Sequence, residues 1–376
     1  MNKVLITGLV LSSCASFAQS TSTANLQSKN GLNKTTKVRG EVEVKGISQS
    51  GTMNKATKQE IKASVSGFHK FYPSIDLKFD VGAVLRAGST DSLFDNNEYD
   101  GESGLTISEG AFEYRPMNFI SLEAGALRMD RKSSPLLLSG RAMLGLREAI
   151  QYGNGGVKVG LTAIQATPSI KNTSDRIDRV EEGTPSYFSE GVFVQFSKNN
   201  FTLDSSASHF AFSNLSNGVA RESLFNGNSV SGNREDGAEF LYDFAGWNVS
   251  NKATLETSAI DLSIHHNYLV NTEAAAGKNK GQLIGVNVKY KGDTATHELG
   301  LESFKVESDA SVAYYNNKFY GHNNREGLAA SYIFNDLGNN FELEATGVAS
   351  NVIKKSDTQD KETLFILTLR KFYDLF

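Results

Sequence analysis

Residues 75–87 read IDLKFDVGAVLRA, and they decide the fold. Ile75, Leu77, Phe79, Val81, Ala83, Leu85 and Ala87 fall on one face, while Asp76, Lys78, Asp80, Gly82 and Arg86 fall on the other. Seven consecutive apolar residues at a period of two define a β-strand, because a helix repeats every 3.6 residues. The same split recurs in 283–290, where Ile284, Val286, Val288 and Tyr290 oppose Asn287 and Lys289. It recurs in 341–349, where Phe341, Leu343 and Ala345 oppose Glu342 and Glu344, and in 238–245, where Phe240, Tyr242 and Phe244 oppose Glu239 and Asp243.

Working outward, the connections between these segments alternate in length. Short ones include Tyr72-Pro73-Ser74, Pro116-Met117-Asn118, 153–156 (GNGG), Lys198-Asn199-Asn200 and 336–340 (DLGNN). Long ones fall at about 89–103, 131–140, 169–186, 214–236, 272–281, 308–326 and 354–362. Short turns at one end and long loops at the other are the pattern of a transmembrane antiparallel β-barrel rather than of a soluble sandwich. Sixteen segments can be placed between 38–48 and 363–375, with the tenth and eleventh at 238–247 and 255–271. The stretch 246–259 (GWNVSNKATLETSA) reads equally as a long turn, an extended hairpin or an extra strand pair, which leaves a count of eighteen open.

Composition agrees with one all-β domain. The chain has 376 residues, 34 Gly, 5 Pro, 23 Phe, 13 Tyr and one Cys. A single Cys excludes a disulfide scaffold and a Cys zinc site. A net charge of −4 gives no reason to expect nucleic acid. Mean hydropathy is −0.32, which averages an apolar row and a polar row into a soluble-looking number. Lys3, the apolar run 4–11 and the small residues ending at Ala18 predict a secretory signal over 1–18. Leu11-Ser12-Ser13-Cys14 resembles a lipobox, the competing reading, in which Cys14 is lipidated. Residues 19–37 read as a polar, flexible periplasmic leader, and 38–376 as the barrel. No apolar run approaches the ~20 residues of a membrane-spanning helix.

On these features the chain resembles the bacterial outer-membrane porins of the sixteen-stranded superfamily, general or phosphate-selective. The resemblance is sharpest over 107–150, where ISEGAFEYRPMNFISLEAGAL is followed by a Pro-containing loop, RKSSPLLLSG. This layout is similar to the region of the third extracellular loop, which in porins folds inward and narrows the channel. At 131–140 the loop is short for that role. Phe376 matches the terminal aromatic that porins present to the barrel-assembly machinery, although Asp374 and the phase of Leu375 depart from the usual pattern. The resemblance implies an outer-membrane location, contact with lipid and lipopolysaccharide, and a homotrimer. The residues themselves give no separate interface signal.

In such a barrel the polar row faces the lumen. The expected pore-lining acids are Glu41, Glu43, Asp76, Asp80, Glu109, Glu113, Glu298 and Glu302, with Asp204, Glu239, Asp243, Asp261, Glu342 and Glu344 in the same phase. The expected wall bases include Arg39, Lys45, Lys62, Lys78, Arg86, Arg115, Lys158, Lys289 and Arg370. Arg128, Arg131, Lys132, Arg141 and Arg147 surround the third-loop segment and form the expected constriction. A basic loop facing an acidic wall creates a transverse field, and rings of charge set ion preference. Either sign of selectivity is open at this level.

Asp91, Asp95, Glu98, Asp100 and Glu102 form a weak calcium candidate on one loop. The spacing is not that of an EF-hand, and a solvated acidic loop explains it as well. No His-Glu-x-x-His, phosphate-cradling Gly loop or Gly-x-Ser-x-Gly elbow is present, so neither a cofactor nor catalysis is expected. Ser208 and His209 are neighbours on a strand and point to opposite faces. The readings that follow are a passive diffusion channel, a substrate-selective anion or phosphate-type channel, and a soluble exported β-protein or adhesin.

Overall fold

The computed structural model describes residues 36–92, 103–129, 134–140, 142–168, 184–232 and 237–375. Each alternating segment pairs with its neighbours in sequence, and the last strand returns to the first. The strands are β1 (Thr36–Gly51), β2 (Asn54–Tyr72), β3 (Ile75–Ser92), β4 (Gly104–Met117), β5 (Ile120–Arg128), β6 (Ala142–Asn154), β7 (Val157–Thr167) and β8 (Ser186–Lys198). They continue as β9 (Phe201–Ser213), β10 (Phe244–Glu256), β11 (Ile260–Asn271), β12 (Lys280–Lys291), β13 (Ala295–Val306), β14 (Arg325–Asp336), β15 (Phe341–Val352) and β16 (Glu362–Asp374). All sixteen form one closed antiparallel barrel. The seam runs from the pair Arg39–Asp374 to the pair Gly51–Glu362.

The sidedness is that of a barrel meant for an apolar solvent. On β3, Val81 and Leu85 are exposed while Asp76 and Asp80 are buried. Leu144, Leu146, Leu161, Leu299, Leu301 and Leu328 all stand exposed on the outer surface. Tyr114, Tyr152 and Tyr290 are exposed near the short turns, in the place of an interfacial aromatic girdle. Among the described residues no helix is long and apolar enough to cross a membrane. The Gly155-Gly156 hairpin turn has φ of +58° and +88°, the left-handed pair that matches strand twist. On β4 the register with β3 slips between Asp80–Glu109 and Val81–Ile107, a bulge that takes up one residue.

Two expectations need correction. The tenth strand is not 238–247. Glu239–Phe240 pairs with Val230–Ser231 in a separate two-stranded ladder, so Glu239 and Asp243 are not wall acids. The barrel strand is β10, and 257–259 is the tight turn into β11, closed by Thr257 N–H donating to the Ile260 carbonyl at 2.9 Å. This resolves 246–259 as strand plus turn and fixes the count at sixteen. The second correction is that Thr36 and Lys37 belong to β1 rather than to the polar leader. The signal, Cys14 and Phe376 lie outside the described residues.

Segments 134–140, 214–232 and 307–324 fold into the barrel at the long-loop end and pack on its inner wall, in a core that also takes in Ala111 of β4, Leu127 of β5, Met143 of β6 and Ala166 of β7. Leu136, Leu137, Leu138, Val312, Tyr315, Phe319 and Tyr320 join Phe210, Phe212, Leu269, Leu283, Phe304 and Ile366 of the wall in one buried core. Tyr315 stacks on Phe212 with ring centroids 5.5 Å apart and planes 2° from parallel. Helix α1 (Asn217–Phe225) is capped by Ser216, whose hydroxyl accepts from Val219 N–H at 3.3 Å. The segment after Ser134 therefore does enter the barrel despite its length, and it does so through apolar side chains.

Polar contacts complete the plug. Asn228 Nδ2 donates to the Ser308 carbonyl at 2.8 Å and the Ser311 carbonyl at 2.9 Å. Asp309 accepts from Ser229 N–H at 2.8 Å and Ser229 hydroxyl at 2.7 Å. Because Leu137 is fully buried in this core, Leu137→Ala should cost about 2–5 kcal/mol. A lowered urea midpoint of the detergent-refolded protein would register it; an unchanged midpoint would mean that the plug is not a packed core.

Candidate functional site

The inner wall toward the short-turn end is charged rather than apolar. Its richest region spans β3 to β6. Asp76 on β3, Glu113 on β4 and Glu123 on β5 are consecutive cross-strand neighbours, followed by Arg147 on β6. Like charges directly opposite one another destabilise a sheet. Cations from the rows above and below relieve them. Lys78 Nζ lies 3.0 Å from Glu113 and 3.1 Å from Glu123. Arg115 pairs with Glu113 at 2.7 Å and Asp76 at 3.1 Å, while Arg147 pairs with Glu123 at 2.6 Å. Arg128 reaches Asp80 at 3.3 Å. Arg147 also donates from Nη2 to the Arg128 carbonyl at 2.7 Å, which ties the end of β5 to β6.

Depth separates the two signs. The carboxylate side chains of Asp76, Asp80, Glu113 and Glu123 are only 5–10 % exposed. Their partners Lys78, Arg115 and Arg128 are 33 %, 45 % and 53 % exposed. The acids lie against the wall and the cations stand over them. Solvent in the lumen therefore meets a positive layer on a negative base.

A second charged row crosses the seam. Glu342, Arg370, Glu43 and Lys62 are successive cross-strand neighbours on β15, β16, β1 and β2. Arg370 pairs with Glu43 at 2.8 Å, Glu344 at 3.2 Å, Glu41 at 3.7 Å and with Glu342. In the next row Lys45, Glu60 and Arg86 alternate across β1, β2 and β3. Glu60 meets three cations, Arg86 at 2.8 Å, Lys45 at 3.4 Å and Lys58 at 3.8 Å, and Lys45 is shared with Glu43 at 3.3 Å. Lys318, on the plug, lies within electrostatic reach of Lys58, so wall and plug face each other with cations here.

Apart from Glu239 and Asp243, which are off the wall, the structure places the expected acids on barrel strands, but not all line open lumen. Glu41, Glu43, Asp76, Asp80, Glu109 and Glu113 sit on the β1, β3 and β4 wall. Glu298 accepts from Asn287 Nδ2 at 3.1 Å. Glu302 is taken up by the plug: Tyr320 hydroxyl donates to it at 3.0 Å, and His265 Nε2 lies 3.0 Å from its other oxygen. Gly285 makes that His265 position possible, because a Cβ there would lie 2.3 Å from the imidazole. Of the expected constriction, Arg128 and Arg147 stand together, whereas Arg131, Lys132 and Arg141 lie outside the described residues. Asp91 is on β3, and the other four residues of the calcium candidate also lie outside them. Among the described residues no group of three or more His, Cys, Asp or Glu is placed to hold a metal.

Lys58, Glu60, Glu123, Lys318 and the buried pair Arg325–Glu362, at 2.7 Å, were not singled out in the sequence. Lys58 and Glu60 were legible, since they share the phase of Lys62 and Ser64 on β2. Glu123 was not, because Ala124-Gly125-Ala126 blurs the apolar row beside it.

At the level of sequence, no family model and no curated protein matches the chain. Solved structures do match in fold. Pseudomonas putida OprB superposes with a TM-score of 0.57 at 13 % identity, covering 90 % of this chain and 94 % of that one. OmpT, an outer membrane protein of Vibrio cholerae, gives 0.52 at 10 % identity over 90 % and 97 %. Salmonella typhi OmpF gives 0.50 at 9 % identity over 89 % and 97 %.

Glu123 holds two cations from two strands. Glu123→Gln should cost about 1–3 kcal/mol through the weakened pairing of Lys78 and Arg147. Equilibrium unfolding monitored by tryptophan fluorescence would measure it; a loss under a few tenths would show that the cations are held by solvent alone.

Proposed function

We propose that this chain is a porin of the bacterial outer membrane, forming a water-filled channel for passive diffusion of small hydrophilic solutes. The observation that carries the reading is the inverted sidedness: exposed apolar residues outside, charged rows inside, in one closed sixteen-stranded ring. Export by the signal over 1–18, contact with lipid and lipopolysaccharide, and assembly through the strand that leads to Phe376 follow from the same reading. The protein acts by shape and field rather than by bond chemistry.

The layered charge gives the channel a sign. Ions crossing the lumen meet Arg115, Lys78, Arg147 and Arg128 before the acids beneath them, and a positive field in a narrow lumen raises the local anion concentration. The channel thus prefers anions, with Arg128 and Arg147 in the constriction and Arg131, Lys132 and Arg141 assigned to the same narrow zone. The plug narrows the lumen at its long-loop end, so conductance is small for a sixteen-stranded ring.

Planar-bilayer recording tests both parts. Purified protein should give ohmic channels whose reversal potential in a potassium chloride gradient shows chloride preference. The triple variant Arg115→Ala, Arg128→Ala, Arg147→Ala should move that potential toward cation preference. Absence of ohmic channels overturns the channel, and an unmoved reversal potential overturns the assigned sign.

A further inference from the structure

Three buried oxygens on the inner wall beside the seam have no donor. Glu344 on β15 lies directly opposite Thr368 on β16, and Thr346 follows Glu344 on the same inward face. Glu344 and Thr368 are 0 % exposed and Thr346 is 2 % exposed. Glu344 Oε1, Thr346 Oγ1 and Thr368 Oγ1 each lack a hydrogen-bond partner, and among the described residues of β15 and β16 every such buried side-chain atom is an oxygen. Ile333 on β14 and Ile366 on β16 flank the three as cross-strand neighbours and are themselves buried. The turn Lys318–Tyr320 of the plug packs on β14 and β15, and Ile366 shares its core with Phe319 and Tyr320. A buried polar atom left unpaired is costly, and three at adjacent positions call for an occupant.

Charge narrows what the occupant is. Glu41, Glu43, Glu342 and Glu344 all gather on the single guanidinium of Arg370. Glu344 gives it Oε2 at 3.2 Å, which leaves Oε1 unneutralised. Lys45, opposite Thr368, turns its Nζ to Glu43 at 3.3 Å and Glu60 at 3.4 Å. Ser331, opposite Thr346, leans over Gly300, where a Cβ would lie 2.5 Å from its hydroxyl. The remaining set is one carboxylate oxygen and two hydroxyls, all hard ligands. Calcium collects several carboxylates, and among the described residues no group of three acids is placed to hold a metal. One negative charge with neutral hydroxyls suits a singly charged ion. A water molecule would fill the same space but would leave four carboxylates on one guanidinium.

We propose that Glu344, Thr346 and Thr368 form a binding site for a monovalent alkali cation, with water completing its shell. The ion joins β15 to β16 beneath the plug and offsets the acid that Arg370 cannot neutralise. Being walled off from solvent, the site exists whether or not the ring conducts ions.

The test is thermal unfolding of the full chain in detergent, in sodium or potassium chloride against choline chloride. Equal ionic strength holds the screening of the other ion pairs constant. Sodium or potassium should raise the midpoint by about 2 °C or more, and the rise should saturate. Thr346→Val and Thr368→Val preserve side-chain shape and should each lose that rise, as should Glu344→Gln. A midpoint identical in all three salts overturns the site, and so does a rise that survives in both Val variants. Glu344→Gln more stable than the parent, with the parent indifferent to either cation, assigns a proton to Glu344 and overturns the ion. Thallium(I) soaked into crystals of the unmodified chain gives a reading that needs no variant. An anomalous peak among the three side chains supports the site, and its absence there leaves water alone and overturns it.

Discussion

The structure depends on the closing of one hydrogen-bonded ring. In hydrocarbon, an unpaired backbone N–H or C=O costs several kcal/mol, so a sheet can stand there only if it has no edge. The pairing of β1 with β16 removes the last edge. Everything else is arranged around that closure. Short turns keep neighbours antiparallel, the even count of strands brings both ends of the ring to the short-turn side, and the period-two alternation sorts side chains between two solvents. Once the ring is closed, a residue's environment is fixed by parity and height alone.

Parity was legible in the sequence wherever large apolar residues alternate with charges. Ile75–Ala87 is correct residue by residue, and so are the rows of β12 and β15. Height was not read, and that is where the plug was missed. On β9 the inward residues run Thr202, Asp204, Ser206 and Ser208, then change to Phe210 and Phe212. On β13 they run Glu298, Gly300 and Glu302, then Phe304 and Val306. β11, β12, β15 and β16 place Leu269, Leu283, Val348 and Ile366 in the same zone, although Asn271, Ser350 and Glu362 beyond them are polar. A lumen that is polar at one end and apolar at the other requires something apolar to fill it, and the loops supply it. The false strand at 238–247 has a related cause: its alternation is real, but a two-residue ladder with Val230–Ser231 satisfies it without the barrel.

The site illustrates a difference between the sum of charges and their order in depth. Counting signs along the strands predicts a mildly acidic wall. Between β3 and β6 side-chain length reverses that order, because Lys78, Arg115 and Arg128 extend past the acids that hold them, whereas at the seam Arg370 lies deeper than Glu41. Each acid of Asp76, Asp80, Glu113 and Glu123 serves as a footing for a cation. Cross-strand register decides which footing each cation finds, and that register is a property of the closed ring rather than of any local motif. For that reason no linear pattern of residues would have revealed it.

The plug has a mechanical consequence. Toward the long-loop end the wall from β4 to β16 is braced by a packed apolar core, whose cohesion does not rest on charge. Toward the short-turn end it is braced by ion pairs, several of whose cations reach into water and are screened as salt rises. The cylinder is thus stiff at one end and salt-tuned at the other. A rise in ionic strength would loosen it unevenly, from the short-turn end first.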